Sequence, residues 1–141
     1  MTTDLRQLVV AVAAQVRERL VDSIEIYDFE CDSDLSGMCA IASIALAKSF
    51  ARHGLDYRIA EGFWRSERHC WLISHDLLVD VTLQQFDPMA EAVHVEPWDK
   101  AEHHFAIKLW DSIQDAEEST WVSEVALDWA DFVVTPKVAW V

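Results

Sequence analysis

Three features of this chain predict an α+β domain in which a buried helix packs on an antiparallel sheet. The run from Ala40 to Ala51, AIASIALAKSFA, is apolar almost all round, as a helix inside a domain must be. After Gly54 the pattern changes to strands, and the runs His69–Ile73 and Leu77–Thr82 read as the two arms of a β-hairpin. The chain has 141 residues, 52% hydrophobic, with seven Trp. That is one domain's length and enough apolar side chain to close a core, so residues 1–141 are read as a single domain.

The elements follow in order. Leu5, Leu8, Val9, Val12, Val16 and Leu20 recur at three- and four-residue spacing, predicting an amphipathic helix from Thr3 to Leu20 with Thr3 or Asp4 as its cap. From Val21 to Asp34 the chain is acidic, with Asp28, Glu30, Asp32 and Asp34 alternating against Tyr27, Phe29 and Cys31, and fits a short strand or an extended loop. The buried helix begins near Ser36–Cys39 and ends at His53, with Gly54 as its stop. Tyr57–Trp64 is a strand, and Ser74-His75-Asp76 is the hairpin turn. Phe86–Lys100, with Asp87-Pro88 and Glu96-Pro97, is expected to be mostly loop. His104–Trp110 suits a strand and Trp121–Phe132 a helix, and the apolar tail from Phe132 to Val141 is broken by Pro136.

Charge and cysteine content narrow the function. The formal net charge is −14, the opposite of what binding to nucleic-acid phosphates requires. Residues 1–86 carry 13 acids against 8 bases and residues 87–141 carry 12 against 3. Such a surface is soluble and self-repelling, and it also suits a basic protein partner or mimicry of DNA. Cys31, Cys39 and Cys70 are odd in number and form no C-x-x-C pair, which argues against a disulfide framework. With no apolar run long enough to span a bilayer and no signal segment, the expected location is the reducing cytoplasm, where a thiol stays free.

Cys39 falls at the start of the buried helix, after Ser36-Gly37-Met38. There the helix dipole and unsatisfied N–H groups favour a thiolate, and the Cys39 amide is placed to donate to an oxyanion. A lone cysteine is more often only a space-filler, so the weight comes from its companions. His69 opens one hairpin strand and Asp80 lies in the other. With a two-residue turn, His75-Asp76 or Ser74-His75, His69 stands opposite Thr82 or Asp80. Either way His69 and Asp80 share a face, while a three-residue turn would separate them. Asp80 between Val79 and Val81 is costly unless paired. Thiol, base and orienting carboxylate are the parts of a nucleophilic triad.

The stretch from Gly37 to Thr82 resembles the core of the transglutaminase-like, papain-type cysteine enzymes. It carries Gly37-Met38-Cys39 opening a helix, a following strand through Gly62, then His69-Cys70-Trp71 and Asp80-Val81-Thr82. Cys39 and His69 are 30 residues apart and His69 and Asp80 are 11 apart. The resemblance covers about a third of the chain. It implies a papain-like fold, Cys39 as nucleophile, His69 as general base and acid, and Asp80 as orienter. It also implies acyl transfer from a peptide or protein amide, or a thioester, by a peptidase, deamidase or transglutaminase type of reaction needing no cofactor or metal. The glutamine that papain-type enzymes place shortly before the cysteine is absent, since only Gln7 and Gln15 lie upstream. Tyr27, Trp64 and Gln84 remain as alternatives for the second oxyanion donor. Trp71, Trp64 and Gln84 are the candidate substrate-binding residues.

His103-His104, with His94 upstream, matches no zinc-ligand spacing and reads as a solvated loop edge. Cys70 follows His69 in a strand, so it faces away from it, into the core.

Overall fold

The computed structural model describes residues 3–24, 38–118 and 124–134. It is an α+β architecture of four helices and one antiparallel five-stranded sheet. The elements are α1 (Thr3–Asp22), α2 (Cys39–Arg52), β1 (Arg58–Trp64), β2 (Glu67–Ser74), β3 (Leu77–Asp80), β4 (His94–Pro97), β5 (His104–Trp110), α3 (Ile113–Glu118) and α4 (Glu124–Val134). The acidic segment with Tyr27 and Cys31, Gly37, Trp121 and the tail after Val134 lie outside the described residues.

In α1 the side chains of Val9, Val12, Ala13, Val16 and Leu20 are buried, a stripe at helical spacing. Leu8, which the spacing had assigned to that stripe, is exposed, because it lies about a hundred degrees round the helix from Val9. Ile41 to Ala47, Ser49 and Phe50 of α2 are buried, so this is the central helix, packed on α1, α4 and β2. It stops where expected. Gly54 adopts φ +69, its N–H donates to Ala51 O at 3.2 Å, and Leu55 N–H donates to Phe50 O at 2.9 Å, a Schellman cap.

The strands run in the order β4-β3-β2-β1-β5. The β2–β3 turn is His75-Asp76, both residues at positive φ (49 and 64), with Ser74 paired to Leu77. Asp and His tolerate this region better than most residues, and Asp56 N–H donates to His75 Nε2 at 3.0 Å. One sheet face, with Ile59, Leu72, Leu77, Val79 and Val81, joins the helices in the main core. The other face carries Ala60, Trp71, Ile73 and Leu78, covered by Trp98 and Ala101.

Two departures concern 86–118. His94–Pro97, expected as loop, pairs with β3 (Asp80↔His94, Leu77↔Pro97). Four residues ending in proline carry no periodic signal, and Pro97 is accommodated at the strand's end. The short α3 was not anticipated either, since only Ala116 within it is fully buried. The sheet is strongly coiled. His94 of β4 and His104 of β5 sit on opposite edges in pairing order, yet their rings stack with centroids 6.2 Å apart. Gly62 makes part of this possible. A Cβ there would stand 2.0 Å from Phe105 O, beside a register shift between Glu61 and Gly62. Only glycine admits so close a backbone.

Candidate active site

The site is built from one helix start and three strands. Cys39 is the first residue of α2, and Met38 before it supplies no side-chain cap. The first helical bond is Ala42 N–H to Met38 O, 2.9 Å, so the amides of Cys39, Ala40 and Ile41 have no acceptor within the helix. Their N–H dipoles point toward the thiol's end.

The two-residue turn sets the hairpin register at Leu72↔Val79. Continued, it places His69 opposite Thr82, and Asp80 on the diagonal but on the same face. His69 Nε2–H donates to Asp80 Oδ2 at 2.6 Å, with both side chains buried. The Thr82 amide and hydroxyl donate to the other oxygen, Asp80 Oδ1, at 3.0 and 3.4 Å. This local bonding explains why an Asp-x-Thr sequence closes the strand.

His104 joins them. Its Nε2–H donates to the same Asp80 Oδ2 at 2.9 Å. The reading of His104 as a solvated edge is therefore wrong: it is 7% exposed while its neighbour Phe105 is 69% exposed. The strand alternation puts His104 inward and Phe105 outward. A sequence signal existed, since a carboxylate buried among apolar residues needs more than one donor.

Electrostatics follow from these contacts. Burial opposes the Asp80 charge, but the bonds from His104 and then His69 outweigh it and hold the carboxyl well below the usual range. Burial likewise opposes the charge on His69, yet the bond to Asp80 and the neighbouring Cys39 raise it to about 9. For Cys39, a hydrogen bond from the Cys70 thiol is the strongest influence. Burial works against it, His69 adds to it, and the pKa falls to about 5. Cys70 is pushed the other way by its bond to Cys39 and by burial, with Glu61 across the strand adding to the effect. Of these two coupled thiols, Cys39 takes the negative charge, because it alone has the helix start and the imidazole beside it. Cys70 is core-buried as expected, but it also touches the thiol.

His69 Nδ1 is buried and carries no aligned hydrogen bond, while the Cys39 thiol lies close enough for the imidazole to stabilise its thiolate. Loose nucleophile–base spacing of this kind is common before substrate binds.

The candidate substrate residues divide. Trp71 is 1% exposed, with its ring 5.8 Å from that of His69, and its Nε1–H has no partner. Trp64 stacks on Phe86 at 5.5 Å, and Phe86 meets the His69 ring edge-on at 5.0 Å. Trp64 also lines a cleft of about 360 Å³ with Leu83, His94, Lys100, Glu102 and His104. Neither Cys39 nor His69 lines that cleft, which borders Asp80 through the His104 ring. Gln84 is held elsewhere. Its Oε1 accepts from Arg17 at 3.0 Å and its Nε2–H donates to Ala90 O at 3.0 Å. It is not free to serve as an oxyanion donor, and Tyr27 lies outside the described residues.

Among the described residues, His69, Asp80 and His104 are the group whose ligand atoms converge, all within 4.8 Å of one another. Their separations of 2.6 and 2.9 Å are those of hydrogen bonds.

In comparisons with protein-family models, curated proteins and solved structures, nothing matches this chain. No helix among the described residues is long and apolar enough to cross a membrane.

Proposed function

We propose that this protein is a cysteine-dependent acyl-transfer enzyme of the transglutaminase-like, papain-type class, acting on a peptide or protein amide or a thioester. One observation carries the reading. His69 donates from Nε2 to Asp80, leaving the buried, unpartnered Nδ1 as the ring atom to exchange a proton with a thiol at a helix start. Such an arrangement has little use in a purely structural core, where an unsatisfied buried nitrogen only costs.

In the proposed reaction, the Cys39 proton rests on His69 and the thiolate attacks the acyl carbon. A C–S bond forms, and the carbonyl electron pair moves to oxygen, where the Cys39 amide is placed to donate. Collapse breaks the bond to the leaving amine or thiol, which takes the proton from His69. Water or an amine, deprotonated by His69, then attacks the thioester and returns the thiol. Asp80 holds the imidazole's tautomer throughout.

Cys39→Ala tests this. It should abolish labelling by acyl-type activity probes and any amide- or thioester-directed turnover, with the circular dichroism spectrum unchanged, since alanine suits a helix start. Undiminished turnover in that variant refutes the proposal. The net charge of −14 supports a second reading, a non-catalytic acidic protein that binds a basic partner or mimics DNA. On that reading Cys39→Ala changes nothing, and neutralising Asp28, Glu30, Asp32 and Asp34 does the damage.

A further inference from the structure

We propose that His104 is the positioning residue of this site, a second imidazole that fixes the Asp80 carboxylate so that His69 keeps its proton on Nε2 and offers Nδ1 to Cys39. This rests on the reading of Cys39, His69 and Asp80 as a triad.

Backbone pairing does not place Asp80 against His69. The β2–β3 ladder is complete only through Leu72↔Val79, and Asp80, the last residue of β3, pairs with His94 of β4 instead. Thr82 anchors one carboxylate oxygen, Oδ1. A carboxylate held at one oxygen can still swing the other, and the oxygen facing His69 is Oδ2. His104 donates to that oxygen, from the far strand β5, so it opposes the swing from an independent support.

His104 is itself held on several sides. Its ring stacks on His94, with 7° between planes, and meets the Trp71 ring edge-on at 4.9 Å. Its backbone pairs with Trp64. Because both imidazoles donate to one carboxylate oxygen, each carries its proton on Nε2. For His69 that leaves Nδ1 as the atom that exchanges the second proton with Cys39. The titratable and charged groups facing this centre are Cys39 and Asp80 beside His69, with Cys70 beside Cys39. On the side of His104 they are its stacked neighbour His94, bonded to Glu96, with Asp87, Lys100, Glu102 and His103 lining the same cleft as His104. His69 and Asp80 are each 1% exposed, and His104, 7% exposed, stands between Asp80 and the cleft, a place that the ring of a His104→Phe variant keeps filled against water.

The test compares His104→Phe with His104→Gln, each made in the otherwise unchanged protein and in Cys39→Ala. Long-range ¹H–¹⁵N spectra of the imidazoles read the His69 tautomer and its titration without reference to activity. In the Cys39→Ala background, His104→Phe should abolish the single Nε2–H tautomer of His69 and lower its titration midpoint by about one unit, a tenfold change. His104→Gln, which keeps an N–H at similar reach, should restore most of both. In the protein with Cys39 present, His104→Phe should raise the pH midpoint of iodoacetamide alkylation by about one unit, which roughly halves the rate at pH 6. A His69 tautomer and midpoint unmoved by His104→Phe overturn the proposal. So does a midpoint that rises, since His104 would then merely compete for Asp80. If the Phe variant fails to fold, His104→Asn serves in its place, because its shorter side chain falls short of Oδ2 where Gln does not. Dependence of His69 on His104, found together with an ordinary Cys39 thiol, supports the role of His104 at Asp80 and sinks the triad reading alone.

Discussion

Between the Cys39 thiol, held near 5, and the His69 imidazole, raised to about 9, lies the interval in which the site holds a thiolate beside an imidazolium. Alkylation of Cys39 by iodoacetamide should therefore rise with a midpoint near pH 5, far below an ordinary thiol's. On the proposed function, acyl transfer should follow a bell, rising through about 5 and falling through about 9 as His69 loses the proton destined for the leaving group. A single rise near pH 8.5 would contradict it. The same shifts act on stability with opposite signs. Asp80 is depressed, so its ionisation stabilises the fold above the ordinary carboxylate pKa, and this is lost as acid protonates it. His69 is raised, so its contribution is complete below about 6.5 and disappears as pH climbs through about 9. Asp80→Asn should reduce turnover roughly 10²–10⁴-fold by releasing the His69 tautomer. Asp80→Ala, which strands two imidazole N–H groups, should also cost about 3–5 kcal/mol in urea unfolding.

Two glycines test the elements in contrasting ways. Gly54 closes α2 at φ +69, with nothing within 4 Å of an added Cβ. Gly54→Ala should cost about 1–2 kcal/mol, the price of the left-handed conformation, and leave Cys39 reactivity unchanged. Gly62 sits against the β5 backbone, and a Cβ there meets Phe105 O at 2.0 Å. Overpacking of this kind costs about 1–3 kcal/mol, and because the obstacle is main chain, β5 must shift. Gly62→Ala should therefore displace His104 from Asp80, moving its ring ¹⁵N shifts as well as the urea midpoint. Equal, purely stability-level effects of the two substitutions would count against the view that β5 is drawn into the site.

At the scale of the whole chain, a net charge of −14 on 141 residues makes the folded state repel itself. Raising sodium chloride from about 10 to 150 mM, which shortens the screening length from roughly 30 to 8 Å, should raise the urea midpoint. A midpoint independent of salt would show the acids to be locally paired. Part of that pairing is visible where Lys48 of α2 bridges Glu117 of α3 at 3.2 Å and Asp131 of α4. The helical layer also depends on Trp129, fully buried in the core with its Nε1–H donating to Ser23 Oγ of the residues after α1. Trp129→Ala should cost about 3–5 kcal/mol, a loss measurable as a lower urea midpoint with the thiol titration unmoved.

The sequence by itself determined the local elements. Helical spacing located α1, an all-round apolar run located α2, and Gly54 marked its end, while period-two alternation put His69 and Asp80 on one face only if the turn had two residues, a length that the structure decided. Only the tertiary structure decided what depends on contacts distant in the chain. The pairing of His94–Pro97 with β3 follows from an open strand edge, not from any pattern in four residues ending in proline. The bond between His104 and Asp80 spans 24 residues and three strands in pairing order. It exists because the sheet coils, and no one-dimensional period records how far a sheet coils. Likewise, Gln84 has the chemistry of an oxyanion donor, but Arg17 of α1, 67 residues away, holds it. Residue type sets what a side chain can do, and the packed neighbours select which of those bonds it makes.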